Sequence, residues 1–185
     1  MRIVIAATLL VLLPLCAFAE DTVTTTTTTA PTFSSADLDF TLTLPEGGTL
    51  SDAGTEGWQY EDPTVFTWVA VEESPLFLIM GNVVTLEAEV TDDDVSRYLA
   101  ELADEESNTE LNIEVEEVSD VFWIGNRGWI SVLYKDNDPD AGGEFEISVT
   151  RQGTHIYAIS FHYSGAEGSD ALVESVLTSF VTSGG

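Results

Sequence analysis

The strongest candidate for a ligand site is the run Asp136-Asn137-Asp138-Pro139-Asp140-Ala141-Gly142-Gly143. Carboxylates at alternating positions, Asp136, Asp138 and Asp140, can turn several oxygens toward one hard cation such as Ca2+. The match to a Ca2+ loop is incomplete. Its sixth position is Ala141 rather than glycine, and its twelfth is Ile147 rather than the bidentate glutamate that closes the shell. Such a loop would bind weakly, and Asp, Asn, Pro and Gly are equally the chemistry of a polar hairpin tip. Ca2+ is the one cofactor these residues suggest, and turn formation is the plainer use of them.

The other reactive residue types are sparse. His155 and His162 are the only histidines. They lie seven apart on one expected strand, an odd offset that sends them to opposite faces, so without a bulge they cannot share a metal. Half-buried sheet positions are the expectation for both. Ser160 precedes His162 by two residues on the same strand face, but alternate strand positions do not make a charge relay. There is no Gly-x-Ser-x-Gly elbow and no phosphate-binding glycine loop. Paired carboxylates for glycoside hydrolysis exist in abundance, but spacing along a chain does not give distance in space. Trp68, Trp123, Trp129, Phe145, Tyr157 and Phe161 fall within expected strands and read as core. Trp58 and Tyr60 differ, because they sit in an acidic, glycine-bearing stretch. There they suit either a partner-binding surface or a lid over the sheet.

Charge narrows the partners. Of 185 residues, 33 are acidic and 5 basic, a formal net charge of −28. Nucleic acid is thereby disfavoured, since phosphates need a basic footprint, and so are anionic membrane surfaces. High net charge keeps copies apart and suits a soluble monomer. It equally suits a cation or a basic partner.

The N-terminus reads as an export signal. Arg2 gives the positive start, Ile3 to Leu15 is apolar apart from Thr8 and Pro14, and Ala17-Phe18-Ala19 presents small residues at the cleavage positions. The apolar run is short for a bilayer-spanning helix, which needs about 20 residues. Cys16 is preceded by Leu15, a poor fit to a lipoprotein signal, so cleavage after Ala19 is the expectation. The mature chain would then contain no cysteine, hence no disulfide and no thiolate nucleophile. Secretion or a periplasmic location follows from this reading.

Three segments are expected: a signal peptide over 1–19, a threonine-rich flexible linker over 20–37 and a single domain over 38–185. The linker contains Thr24 to Thr29 and almost no large apolar residues, so it cannot offset its own ordering entropy. The remainder, about 145 residues, is an ordinary single-domain size. Leu38, Phe40, Leu42 and Leu44 alternate on one strand face, and Pro45-Glu46-Gly47-Gly48 ends that strand. Ser51 to Pro63 reads as loop or short edge structure. Thr64 to Glu72 reads as a strand, and Leu76 to Met80 with Val83 to Val90 as a strand pair or one bent strand around Gly81-Asn82. Thr91 caps a helix over Asp92 to Glu105, with Val95, Tyr98, Leu99 and Leu102 on its apolar face. Five strands follow: Leu111 to Val118, Asp120 to Ile124, Trp129 to Lys135, Glu144 to Arg151 and His155 to Tyr163. Hairpin turns are expected at Gly125-Asn126-Arg127-Gly128 and Gln152-Gly153. Ser169 then caps a helix whose apolar face is Leu172, Val173, Val176, Leu177 and Phe180. Sequential strands with tight turns and two helices make an α+β sandwich with an antiparallel sheet.

Leu44-Pro45-Glu46-Gly47, the long middle helix, and the strand His155 to Phe161 leading through Ser164-Gly165 to a helix ending Ser179-Phe180 resemble the PsbP-like family. That family comprises relatives of the extrinsic photosystem II subunit and shares its fold with a yeast nuclear-import factor that binds the Ran GTPase. The resemblance spans about Leu38 to Phe180. It implies a curved antiparallel sheet flanked by helices, an α/β/α sandwich, and it supplies no shared active site. One position departs: the family usually has Trp after Pro-Glu-Gly, where this chain has Gly48, and Trp58 is a residue that could fill the same space.

The expected function is therefore an exported, non-enzymatic module that binds a protein partner or assists an assembly. The alternatives are a weak Ca2+-binding acidic domain and a secreted hydrolase using carboxylates.

Overall fold

The computed structural model describes residues 29–52, 64–71, 74–104, 108, 112–137, 143–163 and 169–183. The chain order is β1 (Thr32–Ser35), β2 (Phe40–Thr43), β3 (Gly48–Asp52), β4 (Thr64–Ala70), β5 (Leu76–Thr85), α1 (Asp92–Leu102), β6 (Ile113–Val118), β7 (Phe122–Ile124), β8 (Arg127–Asp136), β9 (Glu144–Gln152), β10 (His155–Tyr163), α2 (Ser169–Thr178) and β11 (Val181–Thr182). Every pairing among them is antiparallel. The large sheet runs β3-β4-β5-β10-β9-β8-β6, with β7 also on β8, and the small sheet runs β1-β2-β11.

Alternation along the strands feeds two cores. Phe66, Trp68, Ile79, Trp129, Tyr157, Ile159 and Phe161 point to one face, where Val173, Val176 and Leu177 of α2 and Phe40 and Leu42 of the small sheet cover them. Val132, Tyr134, Phe145, Ile147, Val149, Ile156 and Ala158 point to the other, under Val95, Tyr98 and Leu102 of α1. Helix, sheet, then helix plus small sheet is the expected α/β/α sandwich. Full burial of each large apolar side chain contributes roughly 1.5–3 kcal/mol, which is why the strongly two-sided strand β10 lies at the sheet centre.

Helix α1 begins where its sequence dictates. Thr91 Oγ1 accepts the Asp94 N–H at 3.2 Å, and Asp94 Oδ2 accepts the Thr91 N–H at 3.0 Å, a complete capping box. Asp92, Asp93 and Asp94 occupy the first turn, where the helix dipole favours them. Hydrogen bonding to Thr91 lowers the Asp94 pKa, with Arg97 contributing further. Thr91→Ala should lower global stability by about 1 kcal/mol in urea melts at neutral pH. A melt superimposable on the wild type would show that the box is irrelevant to folding.

Several boundaries differ from the expectations. Thr32–Ser35, assigned to the linker, pairs with β2 and buries Phe33 to 7% exposure. A single large apolar residue in a polar segment is enough when Phe40 and Phe66 wait beside it, with ring centroids 5.3 and 4.8 Å away. Leu38 lies in the turn between β1 and β2 rather than in the strand. Gly48 does not end the β structure but opens β3, after a turn in which Gly47 takes a φ of 78°. Leu76–Thr85 is one ten-residue strand through Gly81-Asn82, the single-strand alternative, and it ends at Thr85 rather than Val90. The two-residue turns Gly125-Asn126 and Gly153-Thr154 connect β7 to β8 and β9 to β10.

The end of the domain is fastened by side chains. Ser179 Oγ accepts the Thr43 N–H at 2.9 Å and lies 2.7 Å from the Val176 carbonyl oxygen. Phe180 stacks on Phe40 at 5.5 Å and meets Trp129 and Tyr157 edge-on. Among the described residues no helix is long and apolar enough to cross a membrane.

Candidate functional site

Parity decides which face each β7 residue takes. Phe122 stands opposite Trp129, which is fully buried on the α2 face, so Phe122 and Ile124 follow it inward. Val121 and Trp123 must then point the other way. Helix α1 covers that side only in part. Trp123 is 69% exposed and Val121 54%. They form one wall of a groove of about 580 Å³. Its opposite wall is Glu89, Val90 and the start of α1, Asp92 and Val95. Its floor includes Gly128, Ile130, Val149 and Arg151.

Gly128 keeps that floor low. A Cβ there would lie 3.2 Å from Val121 Cγ1 and 3.7 Å from the Trp123 ring, so the two exposed side chains rest directly over the glycine backbone. Arg151 is engaged within the groove: it donates to the Val90 carbonyl and, at 2.7 Å, to Asp92 Oδ1. Arg127 turns to the other side. It donates to Thr182 Oγ1 at 2.8 Å and its guanidinium lies 4.9 Å from the Phe180 ring centre. Partial burial lowers its pKa, while the nearby Tyr157 acts in the opposite sense. These contacts tie the C-terminal strand β11 to the β7–β8 hairpin.

A second polar cluster lies on the α2 side of the sheet. Glu146 Oε1 accepts from Ser148 Oγ at 2.8 Å and from Ser131 Oγ, and Glu146 Oε2 accepts from Tyr163 Oη at 2.9 Å. Burial, and then the neighbouring Glu146 charge, raises the Tyr163 pKa. This arrangement satisfies buried hydroxyls with a carboxylate. His162 does not join it, because that ring faces the opposite side of the sheet.

The two histidines are separated as their spacing requires. His155 stacks on Tyr157 at 5.8 Å on one face. His162 stacks on Phe145 at 5.1 Å on the other, and burial lowers its pKa to about 4. Its Nε2 is buried with no hydrogen-bond partner among the described residues.

Asp136 ends β8, where its N–H donates to the Gly143 carbonyl at 2.8 Å and closes the mouth of the β8–β9 connection. Asp138 and Asp140 lie outside the described residues, as do Trp58 and Tyr60. Among the described residues no three His, Cys, Asp or Glu side chains come together as a metal site. Trp123 is a correction. Grouped with the core aromatics by its strand position, it stands on the surface because β7, only three residues long, can bury one of its faces, and Phe122 and Ile124 take it. Its pairing opposite Gly128 across the Gly125-Asn126 turn carried that signal.

No protein-family model matches the sequence, and no curated protein matches it. Solved structures do match. The solution structure of cyanobacterial PsbP (CyanoP) from Synechocystis sp. PCC 6803 is similar with a TM-score of 0.60 at 11% identity, over 91% of this chain and 99% of that one. A crystal structure from Bacteroides thetaiotaomicron is similar with a TM-score of 0.58 at 14% identity, over 83% of this chain. It is matched over only 48% of its own length. At these identities the likeness establishes the fold: the chain has the PsbP-like α+β architecture that its sequence resembles.

Proposed function

We propose that this chain is an exported, non-catalytic module that binds a protein partner through the groove beside Trp123. The observation that carries the reading is a 69%-exposed tryptophan standing next to a 54%-exposed valine at the lip of a concavity. Tryptophan is the side chain most enriched at binding hot spots, and large exposed apolar groups on a soluble domain mark contact surfaces. The leader-like residues Met1 to Ala19 support export to a secreted or periplasmic location.

Hydrolysis by a carboxylate pair finds less support. Glu89 and Asp92 share the groove, but the Asp92 side chain is 90% exposed and bonded to Arg151. A carboxylate pair for hydrolysis needs one member sheltered from water, and Asp92 has no such shelter.

Cross-linking of the mature protein in its native envelope extract, compared with Trp123→Ala, tests the proposal. The expected outcome is a discrete cross-linked species in the wild type that disappears in the variant, with the melting temperature unchanged because the ring is exposed. Equal cross-linking by both proteins would remove the groove from the function, and turnover of a hydrolase substrate panel would remove the non-catalytic reading.

A further inference from the structure

We propose that the segment seated against Trp123 is cationic, a stretch of the partner protein carrying lysine or arginine beside an aliphatic or aromatic anchor. This rests on the groove being the binding face and specifies the chemistry of its occupant. The apolar half of the argument is the exposed pair Val121 and Trp123 along one rim, at 54% and 69% exposure. Below them the floor includes the aliphatic Ile130 and Val149. An aliphatic or aromatic anchor fits there.

Charge selects among the occupants that could supply such an anchor. Glu89 and Asp92 line the opposite wall. Exposed Asp93 follows Asp92 on the helix, and exposed Asp120 precedes Val121. The two cations near the groove are already engaged, Arg151 by Asp92 and the Val90 carbonyl, and Arg127 by Thr182 and the Phe180 ring. An anionic partner would meet no uncommitted positive group among these described lining residues. A second copy of this chain would bring another formal −28 to the contact. Nucleic acid and anionic lipid fail for the same reason. A lysine or arginine gains twice here: its stem lies along Val121, and its charged head can sit over the Trp123 face, the strongest aromatic acceptor of a cation.

The test uses the mature chain and three labelled synthetic peptides of equal length. One alternates arginine with leucine and tryptophan, one replaces its arginines by glutamate, and one keeps the arginines but replaces leucine and tryptophan by serine. Fluorescence anisotropy should show binding of the first alone. Its affinity should fall about thirty-fold in Trp123→Ala, the loss typical of a hot-spot residue. It should also weaken steadily as salt shortens the Debye length, about 8 Å at physiological ionic strength. Asp93→Asn combined with Asp120→Asn should reduce both the affinity and the salt slope. Trp123-dependent binding of the glutamate peptide would overturn the cationic occupant while leaving the groove as the binding face. Binding of the arginine peptides unaffected by Trp123→Ala would reduce the effect to diffuse attraction and overturn the proposal. If no peptide senses Trp123, the binding face itself falls.

Discussion

Gly48→Ala should lower stability by about 3 kcal/mol, the upper end of the usual cost of overpacking a core. A Cβ built on Gly48 would lie 2.0 Å from Trp68 Cε2 and 2.2 Å from Nε1, well inside any real contact. The obstacle is the middle of an indole only 1% exposed, not the free end of a flexible chain, so relief requires moving Trp68 within the core. The neighbouring Gly47 separates this effect from backbone preference. Its φ is 78° and a Cβ there meets nothing within 4 Å, so Gly47→Ala should cost only the left-handed strain, roughly 1–2 kcal/mol. Urea melts of the two variants should differ in midpoint with similar slopes. The space over Gly48 is filled by Trp68, which reaches it from β4 across the β3–β4 pair, where Gly48 stands opposite Ala70 and Leu50 opposite Trp68. Trp68→Gly combined with Gly48→Trp should therefore recover part of the roughly 3–5 kcal/mol that removing Trp68 alone costs. A Gly48→Ala variant as stable as the wild type would refute the contact.

Local signals made much of this fold legible. The Thr91 cap with three aspartates announces α1, and the alternation and turn residues of Glu144–Gln152 and His155–Tyr163 fix β9 and β10 almost to the residue. The failures share a physical cause: they depend on partners distant in sequence. Phe33 becomes a core residue because Phe66 lies against it, and nothing in a threonine-rich segment announces that. Gly81-Asn82 reads either as the break in a strand pair or as a bend within one strand, and here Gly81 makes room inside one strand: a Cβ would lie 2.1 Å from the Phe66 ring. Gly48 and Gly81 are thus both flat places on which a cross-strand aromatic rests. The site was harder still. Acidic residues and aromatics could be enumerated, but a groove exists only once α1 is laid across the sheet and leaves the β7–β8 hairpin uncovered. The parity of Trp123 relative to Trp129 could be read from the turn at Gly125-Asn126. That helix α1 would stop short of it could not.

Acid should weaken the fold through His162, and His162→Phe should remove that weakness. The imidazole is stacked on Phe145 and lies 6.1 Å from the Phe77 ring, and its Nε2 finds no acceptor among the described residues. Burial favours the neutral ring and lowers its pKa from 6.5 to about 4. The sign follows from proton counting. Above pH 6.5 the ring is neutral in both folded and unfolded chains, and its contribution is fully present. Between pH 6.5 and 4 the unfolded chain takes up a proton that the folded chain refuses, so stability is lost as pH falls. Below about 4 both forms are protonated and the loss is complete, on the order of 3 kcal/mol for a shift of this size. The 33 carboxylates are a background that the comparison has to cancel. Protonating exposed ones relieves mutual repulsion and works in the opposite direction at the acid end. The informative quantity is therefore the difference between wild type and His162→Phe, in which the stack on Phe145 is kept and the orphan nitrogen is removed. That difference should be small and constant above neutrality and should grow in favour of the variant from pH 6.5 to 4 in denaturant melts. Parallel curves across that window would mean that the ring is protonated within the fold, and that water or an acceptor reaches Nε2.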